Sequence, residues 1–80
     1  MTQKEVKSIK VGDKINYQVD LGKRSLIVYK YEVYDIYTSS RTGRRTFNLQ
    51  GRRVGKIEHF DMRGPDEKEL QENEWVLVTT

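Results

Sequence analysis

The chain has no cysteine, which excludes a disulfide framework and a thiolate zinc site and leaves packing alone to hold the fold. That suits a reducing compartment, and a cytoplasmic location is the expectation. Pro65 is the only proline, so no proline-rich linker marks a boundary between domains. No apolar run approaches the roughly 18 residues of a membrane span, and the opening stretch MTQKEVKSIKVGDKI lacks the apolar centre of a secretion signal. No membrane partner is expected.

Catalytic groups are equally scarce. His59 is the sole histidine, and with Glu58 and Asp61 beside it the set is too small for a catalytic zinc, which takes about three protein ligands in fixed geometry. Ser8, Ser25, Ser39 and Ser40 stand in no nucleophile-elbow sequence. Nothing here assembles a nucleophile, a base and an orienting group. The expectation is a non-enzymatic protein with no catalytic residue, no metal and no cofactor.

What is present indicates a folded chain. Apolar residues make up 35% and charged residues 34%, with one Trp, five Tyr and two Phe, a balance that is polar but not that of a disordered chain. Eighty residues form one small domain, 1–80, which buries roughly 60–65% of the surface its unfolded chain exposes. Residues 1–10 carry little strand signal and read as a candidate flexible N-terminal arm.

Strand patterns dominate the rest. In KINYQVDL the residues Ile15, Tyr17, Val19 and Leu21 alternate with polar partners. In SLIVYKYEVYDIY, Ile27, Tyr29, Tyr31 and Val33 share a face before it switches to Tyr34 and Ile36, which predicts a bulge near Val33. RRTFNLQ turns Phe47 and Leu49 inward, with Arg44, Thr46, Asn48 and Gln50 outward. VGKIEHF reads as a fourth strand in which Gly55, Ile57 and His59 oppose Val54, Lys56, Glu58 and Phe60. MRGPDEKELQENE carries the helical signals, with Pro65 at a first helical position, and EWVLVT closes as a fifth strand.

The expected fold is therefore all-β: four strands, a short helical turn and a fifth strand, closed so that no sheet edge is exposed. This order resembles a small five-stranded SH3-like barrel, in which a helical turn falls before the last strand, and VGDKI is similar to the approach to the first strand in such modules. An OB-like barrel is the alternative, with its helix between strands three and four.

Charge is sorted along the chain. Residues 1–40 hold seven basic and five acidic side chains, 41–56 hold six and none, and 57–80 hold two and seven. Such separation creates a directional field that can steer an anionic partner. The basic run contains Arg41, Arg44, Arg45, Arg52, Arg53 and Lys56, and arginine grips phosphate bidentately and stacks on bases. Asn48 and Gln50, on the outward face, are amides of the kind that read an adenine edge. Together these eight residues are the candidate nucleic-acid-binding site, with DNA or RNA the favoured partner. The bland alternative is a hairpin charged only for solubility and to block edge pairing.

Tyr34, Tyr37 and Trp75 are candidate aromatic contacts, either stacking on bases or forming an apolar patch for a protein partner. Packing in the core is the competing role for Trp75. The acidic segment Asp61, Asp66, Glu67, Glu69, Glu72 and Glu74 reads as a solvated helix start. Two functions follow: a nucleic-acid-binding barrel that grips phosphate through its arginine hairpin, or an adaptor, such as an accessory or viral factor, that docks on a larger protein through edge strands and an aromatic patch.

Overall fold

The computed structural model describes residues 1–56, 58–72 and 74–78, without the side chains of Asp20 and Ser25. Ile57, placed by sequence in the fourth strand, lies outside the described residues. Helix α1 (Gln3–Ser8) is followed by β1 (Lys14–Asp20), β2 (Ser25–Thr38), β3 (Arg45–Arg53), β4 (Phe60–Arg63), α2 (Glu67–Glu72) and β5 (Trp75–Val78). The strands make one antiparallel sheet in the order β4-β3-β2-β1-β5.

The fold is mostly β, as expected, but the sheet does not close. β4 and β5 are its two edges. Each has four residues and pairs on one side only, and the core is capped by the two helices. Val6 and Ile9 from the α1 end and Leu70 from α2 join Ile15, Tyr31, Val33, Phe47, Leu49 and Trp75 in one buried cluster. Fully burying a side chain such as Val or Leu is worth about 1.5–3 kcal/mol, enough to hold short helices that would not form alone in water.

Within residues 1–10, read by sequence as a candidate arm, Val6 and Ile9 are buried in the core while most of the other side chains are exposed. Thr2 Oγ1 accepts the Glu5 N–H at 3.1 Å while Glu5 Oε1 accepts the Thr2 N–H at 2.9 Å, a reciprocal capping box that satisfies two helix-end donors. At α2 the Asp66 carboxylate accepts the Glu69 N–H at 2.9 Å, and the helix begins at Glu67 with Pro65 buried just ahead of it.

β2 is long because it serves both neighbours and bends between them. Its register against β3 shifts between Val33 and Asp35, leaving Tyr34 as the extra residue. A second shift against β1 leaves Val28 unopposed. Each bulge adds twist. The fourth strand starts six residues later than the pattern in VGKIEHF implied: Val54 and Gly55 form a turn after β3, with Gly55 at a φ of 82°, a left-handed conformation that glycine adopts at no steric cost.

Gly51 on β3 lies against the β2 backbone opposite Tyr31. A Cβ there would collide with the Lys30 carbonyl oxygen and lie 2.8 Å from the Tyr31 Cα, backbone atoms that cannot swing away. Gly51→Ala is expected to destabilise the protein by about 1–3 kcal/mol. Urea denaturation measures it; a loss under about 0.5 kcal/mol, typical of neutral surface changes, would mean the strands part more easily than this packing implies.

Candidate functional site

Strand alternation assigns every side chain to a face. On the core face stand Ile15, Tyr31, Leu49 and Trp75, and on the opposite face two rows cross the whole sheet in register. One runs Phe60, Arg52, Lys30, Asn16, Val76; the next runs Met62, Gln50, Glu32, Lys14, Val78. A broad, open hollow lies on this outer face. It forms a trough of about 770 Å³ whose lining includes Lys14, Lys30, Arg52, Arg53, Asn16, Gln50 and Phe60.

The trough is electropositive. Its lining residues include Lys14, Lys30 and Arg52 on the outer face, with Arg53 at the end of the strand, against one acid, Glu32, which Lys14 holds at 2.8 Å. Lys30 and Arg52 lie directly opposite each other on β2 and β3, and Arg52 places its guanidinium 5.7 Å from the Phe60 ring centroid. Arg53, at the end of β3, also borders a shallower hollow of about 380 Å³ with Lys56, Glu58 and His59.

The structure therefore divides the basic run that is contiguous in sequence. Arg45 and Arg52 sit seven residues apart on one strand, up to about 24 Å at the usual rise per residue, and are not drawn together by two hairpin arms. At the β2–β3 turn the cations meet acids. Arg44 is 3.4 Å from Asp66, and the Arg45 backbone N–H donates to Glu67 Oε1 at 2.9 Å while its guanidinium lies 5.2 Å from the Phe47 ring centroid. Arg41 is exposed in that turn. Of the eight residues, Gln50, Arg52 and Arg53 line the trough; Asn48 is half-buried, its amide oxygen next to Gly64.

The aromatic candidates do not form one patch. Tyr34 and Tyr37 are exposed, but Trp75 is only 3% exposed and packs against Tyr17 at 5.2 Å and Tyr31 at 5.6 Å between ring centroids. It is a core plug, because its strand pairs with β1 opposite Tyr17 on the inward face. Its indole N–H has no partner among the described residues.

A polar network closes the core beside β4. The Tyr31 hydroxyl donates to Asp61 Oδ2 at 2.6 Å, and Arg63 Nε donates to the same oxygen at 3.1 Å. Burial, reinforced by the Asp61 carboxylate, pushes the Tyr31 hydroxyl well above its usual range. The Tyr31 hydrogen bond, helped by Arg63, holds the Asp61 carboxyl below the usual carboxylate value. A depressed folded-state value means the stabilisation is present above the unfolded-chain pKa, near 3.9, and is lost as pH falls through the folded value. Stability is expected to drop as pH falls below about 4, with Asp61→Asn losing about 1–2 kcal/mol at neutral pH and showing a flatter acid limb. Thermal melts as the pH is lowered decide it; parallel curves for both proteins would show that Asp61 is not an acid-sensitive contact.

His59 is engaged with Tyr29, whose hydroxyl lies 3.1 Å from Nε2. Among the described residues no three His, Cys, Asp or Glu side chains converge as a metal site, and no helix is long and apolar enough to cross a membrane.

Alternation in β1 and β2 held the signal that would have located the trough. Lys14, Asn16 and Lys30 are the polar partners of inward residues, yet only the strand register shows that they stand in line with Arg52 and Phe60. No known protein family, characterised protein or solved structure matches the chain.

Proposed function

We propose that this protein is a non-enzymatic nucleic-acid-binding module that holds phosphates in the concave outer face of its sheet. One observation carries the reading: a trough of about 770 Å³ in which Lys14, Lys30, Arg52 and Arg53 outnumber a single acid already tied to Lys14. Arginine and lysine at this density suit a polyanion, the amides of Asn16 and Gln50 can hydrogen-bond base edges, and a concave sheet presents them to an extended ligand. The strand order β4-β3-β2-β1-β5 with a helix before β5 supports describing the fold as an opened SH3-like barrel, an architecture that leaves function to the site it carries. A cytoplasmic location, where nucleic acid is accessible to a cysteine-free chain, goes with the proposal.

The refined site replaces the hairpin grip by the trough, with Lys30, Arg52 and Arg53 as phosphate contacts. Fluorescence anisotropy of labelled nucleic acids at about 50 and 200 mM salt tests it, comparing the wild-type chain with the Lys30→Ala/Arg52→Ala/Arg53→Ala variant. Steep salt dependence that the variant loses supports the reading; an unchanged affinity in the variant would discard it.

Docking on a protein through the β4 and β5 edges is the second reading. The exposed Phe60 and Met62 beside the β4 edge favour it. Burial of Trp75 removes one member of the aromatic patch that it would have used.

A further inference from the structure

We propose that the trough takes single-stranded rather than duplex nucleic acid, with one base stacked on the Phe60 ring, an inference that rests on the nucleic-acid reading above. Three features converge. Phe60 is 50% exposed although it is aromatic and lies in a strand, so the core does not account for it. It stands in register opposite Arg52, and Arg52 opposite Lys30, which sets an aromatic ring, a guanidinium and an ammonium in line across three strands about 4.8 Å apart. The Arg52 guanidinium lies 5.7 Å from the ring centroid, where a cation is attracted by the ring's electron-rich face.

That arrangement matches the two needs of a single strand. A base presents a flat face to stack on, and its phosphates follow the cations alongside; Gln50, between Met62 and Glu32 in the next row, is placed for the base edge. A duplex offers the phosphates but not the base face. Its base faces are stacked inside, and its grooves are read by a protruding helix or ribbon, whereas this face is hollow. Stacking is also indifferent to sequence, so the preference is for strandedness more than for a particular base.

The experiment is anisotropy with labelled single-stranded DNA and RNA of about 12 nucleotides and a duplex of equal length, at about 50 and 200 mM salt. The proteins are the full wild-type chain, Phe60→Ala, Phe60→Tyr and Phe60→Leu, each checked for folding by circular dichroism. Single strands are expected to bind at least about tenfold more tightly than duplex. Phe60→Ala weakens single-strand binding by about five- to a hundredfold with the salt slope unchanged, since no phosphate contact is removed. Phe60→Tyr keeps the affinity. Phe60→Leu, which preserves apolar bulk without the flat ring, loses it, and this variant decides the matter if alanine perturbs the edge strand. Equal binding of duplex, or full affinity in Phe60→Leu, overturns stacking while leaving the electrostatic trough standing through its salt slope. No binding of any probe overturns both.

Discussion

Alanine at Lys30, Arg52 and Arg53 together is expected to weaken binding of a single-stranded nucleic acid by about 500-fold at 50 mM salt and about 30-fold at 200 mM. The figures follow from counterion release. Each phosphate contact contributes a log–log salt slope of about −0.7 for a single strand. Three lost contacts make the slope shallower by about 2.1, and carrying that difference from about 1 M salt, where the electrostatic contribution vanishes, gives the two factors. Because Arg52 also packs on Phe60, the Lys30→Ala/Arg53→Ala pair serves as a second variant, with a slope change of about 1.4. Arg41→Ala/Arg44→Ala is the control from the other end of β3, where Asp66 already pairs with Arg44; its affinity is expected to stay within about threefold of wild type, because it gives up no trough contact. An equal loss at both ends would show that the cations act as one diffuse field and that the trough has no special role.

The contrast between those two ends explains how much the sequence disclosed. Ile15 and Tyr17 in β1, Phe47 and Leu49 in β3, and the face switch at Tyr34 in β2 all follow from alternation within a single strand, where each residue's face is set by its immediate neighbours. The trough depends instead on which residue of one strand stands opposite which residue of the next, and that is fixed by bulges and turns distributed over the chain. A run of arginines contiguous on paper is spread along one extended strand. The acids of residues 66 and 67, distant in sequence, fold back on the turn at its near end.

Two elements were obscured for local reasons. VGKIEHF has a period of two but no consistently apolar face, and the left-handed Gly55 turns the chain before pairing resumes at Phe60. Conversely, α1 is only six residues long, below the length at which helical periodicity is persuasive. Its signature was the capping box in TQKE together with Val6 and Ile9, three residues apart and so on one face. Both signals are weak singly. Packing on the open side of the sheet is what makes them decisive, since the unclosed core would otherwise meet water.

Phe47→Ala is expected to cost about 3–5 kcal/mol, the usual loss when a fully buried phenylalanine is truncated. The ring is wholly inaccessible to solvent, and its neighbourhood has little freedom to collapse. The Phe47 N–H donates to the Pro65 carbonyl at 2.9 Å, Thr46 bridges to Asp66, and the Arg45 guanidinium lies over the ring. The residue thus fastens β3 to the start of α2, whose Leu70 completes the core. A domain of this length has a total stability of about 4–12 kcal/mol, so the variant retains a small margin or unfolds at room temperature. Expressed as a melting temperature, a loss of about 4 kcal/mol corresponds to a fall of about 16–32 °C. Fluorescence of the single, buried Trp75 reports the transition during urea denaturation, and Phe47→Leu, which refills most of the volume, is expected to lose less than half as much. A cost below about 1 kcal/mol for Phe47→Ala, within the range of ordinary substitutions, would mean that the helices and the sheet are not joined through this ring, and that the open side of the sheet is held by the α1 contacts alone.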